Sequence, residues 1–293
     1  FRRVRLLGMV FLALILFAGL GNIPGRLGHW WTHIEDRAAW ARLLPEDAYG
    51  GSLSTARGRY LYGEREGQFL VLAGGGVCES FPGGEHAAEV VALHLAQHPA
   101  ARNVLVFGEA TLGICASFCT LPGVAQTAWM HPDPEYPKRL GRLLAEKVPD
   151  KLEVIDQDLR LFVKETQRRF DLVVLNLPEV TTLTINRYCT REFFEQLAGL
   201  LSDEGLVSVR ISGGANYVGA ALADPGAMML ATLRRQFDRI VMKPGDETWL
   251  IASNGDGLSQ SPEVLRERYA AIMGAEALYP PEGVAMLYPP DRV

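Results

Sequence analysis

The sequence predicts an α/β fold: a doubly wound sheet covered by helices on both faces, with a small β subdomain and one N-terminal transmembrane helix before it. Three observations predict it. Between residues 103 and 252, short apolar runs alternate with helical patterns at short spacing, which is how a parallel sheet with crossover helices reads. Between residues 58 and 81, short runs are separated by charged or glycine-rich turns, as in a small antiparallel sheet. Residues 6–23 (LLGMVFLALILFAGLGNI) are almost unbroken apolar sequence.

That run of about 18 residues, at 1.5 Å rise, just spans a bilayer core. Arg2, Arg3 and Arg5 precede it, and Pro24, Gly25 and the pair Trp30-Trp31 follow as an exit into the interface. A secretory signal has a similar start, but no small-x-small cleavage site follows this run. The side of the following domain is left open, with the arginines before the span favouring the extracytoplasmic one; membrane lipid is an expected partner and the bacterial inner membrane the expected location. The chain begins with Phe, so upstream transmembrane helices or other membrane-protein subunits join the expected partners.

Residues 33–44 (HIEDRAAWARLL) read as a short linking or interfacial helix stopped by Pro45. Three strands are expected at 58–61, 68–72 and 77–81, and a helix at 85–98 ending before Pro99. Strands then fall at 103–107, 124–130, 152–155, 171–175 and 205–211, with helices at 112–119, 136–146, 158–167, 191–201 and 228–236. Runs at 239–241 and 248–252 close the sheet. The organisation is therefore 1–25 transmembrane helix, 26–50 linker and interfacial helix, 51–84 β subdomain, 85–255 sheet domain, and 256–293 C-terminal helix and tail.

A hydrophobic content of 48% in 293 residues supplies a core and excludes disorder. Lys plus Arg total 29 against 34 Asp plus Glu, and the net charge of -5 is scattered. Nucleic acid is excluded as a main partner, because neutralising phosphates needs a concentrated basic face. Cys78, Cys115, Cys119 and Cys189 have neither disulfide density nor paired zinc spacing, so no metal is expected. Cys115 and Cys119, four apart on a helix, read as small buried residues. His86, His94 and His98 read as surface or helix-end residues.

Ligands in doubly wound sheets sit at the carboxyl ends of the strands near the switch in strand order. The loops at Gly108, His131, Asp158 and Asn176 are therefore the candidate site.

An ordered set of segments carries a resemblance. It comprises Thr55-Ala56-Arg57-Gly58-Arg59-Tyr60, Ser80-Phe81-Pro82 with Glu85-His86-Ala87, and Gln97-His98-Pro99 before NVLVFG. Phe170-Asp171 then leads to Asn176-Leu177-Pro178-Glu179, followed by Asn186-Arg187-Tyr188-Cys189-Thr190-Arg191-Glu192-Phe193-Phe194 and Asp203-Glu204-Gly205. From about residue 50 to 255 the chain resembles the spermidine synthase family, especially its membrane-fused bacterial relatives. The resemblance implies a methyltransferase-type Rossmann-like domain after a small β subdomain. Active members move an aminopropyl group from decarboxylated S-adenosylmethionine to a diamine such as putrescine.

The resemblance assigns roles residue by residue, and the chain departs from several. Where family enzymes carry a G-G-G-D-G turn, this chain has Gly108-Glu109-Ala110-Thr111-Leu112-Gly113. The acid that receives the ribose hydroxyls is replaced by His131, with Asp133 two residues on; imidazole cannot make a carboxylate's paired contact. The D-x-x-D-P segment that holds and deprotonates the amine is Asn176-Leu177-Pro178-Glu179-Val180. Asn176 is no base, while Glu179 keeps one charge. Asp158, at the adenine edge, is retained.

Each of these residues also has a local reading: Asn176 and His131 as turn residues, Asp158 as a helix cap, Glu109 as a solvated loop charge. Two functions follow. In the first, the domain is catalytically degenerate, binds no cofactor, and serves as a binding or assembly subunit of a membrane complex. In the second, it is an active aminopropyltransferase of polyamine biosynthesis that uses decarboxylated S-adenosylmethionine, with Asp158 and Glu179 in an altered site and a polyamine as partner.

Overall fold

The computed structural model describes residues 23–177, 183–213 and 220–288. The apolar run at 6–23 lies outside them except for its last residue. No helix among the described residues is long and apolar enough to cross a membrane.

Helix α1 (Ile23–Trp40) starts earlier and stops sooner than the linking helix expected at 33–44. Pro24 falls in its first turn, where a missing N–H costs no helical bond. Next come a 3₁₀ turn (Glu46–Ala48) and four strands, β1 (Tyr49–Ser54), β2 (Arg59–Arg65), β3 (Gln68–Ala73) and β4 (Gly76–Phe81), paired antiparallel in sequence order. The sequence suggested only three strands. β1 escapes its periodicity because Gly50 and Gly51 interrupt it and only Leu53 is buried.

One face of this sheet, through Leu53, Tyr60, Phe69, Val71 and Phe81, joins the main core. The other carries a separate cluster of Trp40, Leu61 and Leu72 that seats α1. Gly63 makes this seat possible, since a Cβ there would lie 2.0 Å from the Ala48 carbonyl oxygen and 2.7 Å from the Trp40 ring.

Helix α2 (Glu85–Gln97) leads into the large sheet: β5 (Asn103–Gly108), α3 (Leu112–Thr120), β6 (Gln126–Met130), α4 (Glu135–Leu143), β7 (Leu152–Val154), α5 (Leu159–Glu165) and β8 (Phe170–Asn176). Then follow α6 (Leu183–Asn186), α7 (Arg191–Ala198), β9 (Leu201–Ser212), α8 (Ala220–Leu233), β10 (Arg239–Lys243) and β11 (Glu247–Ser253). Helices α9 (Pro262–Ala270), α10 (Ala275–Leu278) and α11 (Pro281–Leu287) end the described chain.

The sheet order is β10-β11-β9-β8-β5-β6-β7. β7, β6, β5, β8 and β9 run parallel, whereas β11 is antiparallel to both β9 and β10. The sheet is thus mixed rather than wholly parallel. Only residues 244–246 join β10 to β11, far too few for a crossover. Alternate residues of the central strands enter two cores, with Val104, Val106, Leu172 and Val174 on one face and Leu105, Phe107, Val173 and Leu175 on the other. Both faces are covered, which is why these strands read as continuous apolar runs.

Helix α2 is enclosed between this sheet and the C-terminal helices, where Tyr288 donates its hydroxyl hydrogen to the Leu93 carbonyl at 3.2 Å. His94, in the last turn of α2, is therefore fully buried rather than at a surface. Its Nδ1 pairs with the Val90 carbonyl, its ring meets Trp249 edge-on at 5.0 Å, and burial lowers its pKa to about 4.

Candidate functional site

The chain leaves β5 toward β6 and β7 on one side and returns to β8 on the other, so the switch in strand order lies between β5 and β8. Gly108 and Asn176, the last residues of these strands, are register partners. Gly108 has φ +145°, and a Cβ there would stand 2.0 Å from the Asn176 carbonyl oxygen. No other residue fits. The buried Asn176 side chain donates through Nδ2 to the Glu109 carbonyl oxygen at 2.6 Å, tying the end of β8 to the loop after β5.

Within that loop the Glu109 side chain faces solvent, while Ala110 holds a left-handed φ of 55°. An alanine here thus holds a conformation that suits glycine best. Thr111 is fully buried; its hydroxyl donates to the Gly108 carbonyl at 3.0 Å and accepts from Trp129 Nε1 at 2.9 Å. Gly113 lies inside α3 against Gly83, where a Cβ would meet the Gly83 Cα at 2.7 Å. It serves helix packing.

The N-terminus of α3 is closed from the small sheet. Glu79 on β4 is buried, and its Oε1 accepts the Leu112 N–H at 2.9 Å. Burial pushes this carboxyl up to about 8, opposed by the backbone N–H groups of Leu112, Thr111, Gly113 and Ser80. Its Oε2 has no partner among the described residues and borders a cavity of about 180 Å³ beside Gly83, Gly84 and Ala110.

His131 follows β6 and is buried, with its ring 4.5 Å from that of Tyr136. Its Nδ1 accepts the Asp133 N–H at 3.0 Å, which leaves the proton of the neutral ring on Nε2. Burial lowers its pKa to about 4, against the pull of Asp133. Asp133 is buried too. Its carboxylate takes the hydroxyls of Thr55 and Tyr60 (3.1 Å) and the Glu135 N–H (3.2 Å), so it braces the small sheet against the large one. Arg57, in the β1–β2 turn, donates to the Pro132 carbonyl.

Asp158 caps α5 through Oδ1, which accepts the Arg160 N–H at 3.0 Å. Its Oδ2 is ion-paired with Arg187 and lies 3.4 Å from the Tyr188 hydroxyl. The Tyr188 ring packs on Phe107 at 4.9 Å and carries the Arg187 guanidinium at 4.7 Å. Glu179 lies outside the described residues.

The structure thus brings Gly108, Glu109 and Asn176 together and groups Asp158 with the end of β5 through Tyr188, while Gly113 and His131 turn into packing. Cys115 and Cys119 are buried, unpaired thiols, and no three metal-ligand side chains cluster among the described residues. The sequence reading missed Glu79, Arg187 and Asp133 as the partners that bind these groups. Glu79 carried a signal, because it shares the inward parity of Phe81 on β4.

Taken together, the strand order, the antiparallel β11 and the loop site at the β5–β8 switch define a methyltransferase-type Rossmann protein with an N-terminal antiparallel sheet. Its fold is that of the spermidine synthases. A spermidine synthase in complex with the transition-state analogue AdoDATO superposes with a TM-score of 0.61 at 14% identity, covering 83% of this chain and 85% of that one. Spermidine synthase from Thermotoga maritima gives 0.59 at 14% identity over 83% and 84%. A probable spermidine synthase from Corynebacterium glutamicum gives 0.58 at 13% identity over 76% and 88%. No family model and no curated protein sequence matches the chain.

Proposed function

We propose that this chain is a membrane-anchored protein of spermidine synthase fold that has lost catalysis and acts as a binding or assembly subunit of a membrane complex. One observation carries the reading: the polar groups at the strand ends are bonded to one another. Asp158 is held by Arg187, the acceptor nitrogen of His131 by Asp133, and the Asn176 amide by the Glu109 carbonyl. Glu79 occupies backbone amides of the α3 N-terminus.

These residues do not fit decarboxylated S-adenosylmethionine. A ribose diol needs a paired acceptor, and a neutral His131 whose Nδ1 is already used offers only a donor. A diamine is best held by paired carboxylates, and of the two positions here Asn176 is an amide committed to the loop, which leaves Glu179 alone.

The anchor is assigned to residues 6–23, with the domain outside the cytoplasm, because Arg2, Arg3 and Arg5 precede the run. The decisive experiment is calorimetry of the full chain in detergent with decarboxylated S-adenosylmethionine, alongside an assay for 5′-methylthioadenosine released in the presence of putrescine. Absence of both is expected, together with co-purification of stoichiometric membrane partners. Micromolar binding with product release would establish an active aminopropyltransferase instead.

A further inference from the structure

The first turns of α2 and α3 meet beside β4. Two glycines permit the approach, since a Cβ on Gly83 would lie 2.6 Å from the Gly113 carbonyl oxygen. Between the two turns lies the cavity of about 180 Å³ that the free oxygen of Glu79 borders.

The turn of α3 is occupied, because Glu79 Oε1 accepts the Leu112 N–H at 2.9 Å. The turn of α2 is open. Its N-cap is Gly84, which has no side chain to offer, and the first bond of the helix runs from the Ala88 N–H to the Gly84 carbonyl. The N–H groups of Glu85, His86 and Ala87 therefore have no partner among the described residues. They carry the partial positive charge of a 13-residue helix to the cavity wall.

Glu79 supplies the independent observation. It is only 3% exposed, and its Oε2 bonds to nothing among the described residues. Since Oε1 accepts an N–H, a proton on this carboxyl sits on Oε2 and turns it into a donor toward the cavity. Burial pushes the carboxyl up to about 8, which keeps that proton in place at neutral pH. The titratable groups facing it are Cys78 on β4, Cys115 on α3 and Tyr136 on α4; burial raises all three, so they stay neutral while Glu79 titrates. At the rim, His86 pairs with Glu247 at 3.4 Å, and the Glu85 and Glu109 side chains face solvent.

The lining thus combines one O–H donor and uncapped backbone amides with the apolar side chains of Val77, Ala87, Ala110 and Ile114. No lysine or arginine is part of it, so a dianion would lack a balancing cation. An ammonium would meet amide hydrogens. A compact monoanion with two acceptor oxygens and a short aliphatic tail matches both parts of the wall.

We propose that this cavity binds a short-chain monocarboxylate, held by the Glu79 acid and the first-turn amides of α2.

The test titrates the purified full chain in neutral detergent with propionate and with propylammonium, read by saturation-transfer NMR of the ligand methyl group. Propionate is expected to bind at least about tenfold more tightly than propylammonium at about pH 7.5. Its affinity should fall about tenfold or more by about pH 9.5, as Glu79 loses its proton. Glu79→Gln keeps an acceptor for the Leu112 N–H and a donor toward the cavity, so it should retain propionate binding and lose the pH dependence. Gly84→Ser is the second variant, because a Cβ there meets open space and the hydroxyl caps the same α2 amides. It should weaken propionate binding about tenfold or more while thermal unfolding is unchanged or raised. No propionate binding, propylammonium bound as tightly, a folded Glu79→Gln that no longer binds, or binding untouched by Gly84→Ser would each overturn the proposal.

Discussion

Glu79 Oε1 accepts the Leu112 N–H at 2.9 Å, so that a strand of the small sheet closes the first turn of the helix that opens the candidate site. Helix N-termini carry unsatisfied amides and partial positive charge, and in nucleotide-binding α/β proteins they commonly face a ligand. Here an internal carboxyl takes that place. The same contact locks the two sheets together, because β4 belongs to one and the β5–α3 loop to the other.

The burial of Glu79 sets part of the pH dependence of stability. The Glu79 carboxyl is raised from 4.5 to about 8 in the fold, so its stabilising contribution is complete below pH 4.5 and is lost as pH rises toward 8. His94 and His131 are lowered from 6.5 to about 4, so theirs is present above pH 6.5 and lost as pH falls toward 4. Below pH 6.5 the two histidines outweigh Glu79; above it Glu79 acts alone. Urea unfolding should therefore show greatest stability near pH 6.5 and a decline toward pH 8, with a slope of at most about 1.4 kcal/mol per pH unit. Glu79→Gln should flatten the alkaline side. A midpoint that still rises between pH 6.5 and 8 would refute the assignment.

Ala110 holds φ 55° in the loop after β5. A left-handed conformation costs a residue with a Cβ about 1–2 kcal/mol, while glycine adds unfolded-state entropy worth about 0.4–1 kcal/mol. Ala110→Gly is therefore expected to stabilise the protein by about 0.5–1 kcal/mol in denaturant unfolding. A loss of stability would mean that the methyl group packs favourably enough to offset the strain.

Much of the fold was legible because β5, β6, β8 and β9 send apolar residues into both cores, and Gly108, His131 and Asn176 fall where the β5, β6 and β8 runs stop. The mixed sheet was not, since a three-residue link between β10 and β11 decides direction while local periodicity reports only strand character. His94 misled because helix position alone cannot reveal that α9 and α11 cover α2 from outside. The site residues were legible as positions but not as partners. Arg187 reaches Asp158 across 29 residues, and Thr55 reaches Asp133 across 78. Only the folded chain reveals that the groups left at the strand ends are already bonded.

Gly108→Ala should be among the most damaging small changes. Its Cβ would fall 2.0 Å from the Asn176 carbonyl oxygen, and the backbone is held at φ +145°. Strain and overpacking each cost about 1–3 kcal/mol, so a loss of about 3 kcal/mol or more is expected in urea unfolding. A loss under 1 kcal/mol would show that the ends of β5 and β8 separate easily.

The final prediction is that putting acids back at single positions will not revive catalysis. Asn176→Asp removes the donor that satisfies the Glu109 carbonyl at 2.6 Å among the described residues and turns a carboxylate toward it. An unsatisfied buried carbonyl costs about 1–3 kcal/mol, and the facing charge adds to that. Thr111→Asp keeps an acceptor for Trp129 Nε1 but loses the donor to the Gly108 carbonyl, and it buries a second acid near Glu79. Both changes act on the one loop, so their effects should not add independently. Each variant is expected to unfold at lower urea concentration than the parent chain and to release no 5′-methylthioadenosine from decarboxylated S-adenosylmethionine with putrescine present. If Asn176→Asp proved as stable as the parent and produced that product, the bonds at the strand ends would be an incidental packing of a working site, and the loss of catalysis proposed here would be wrong.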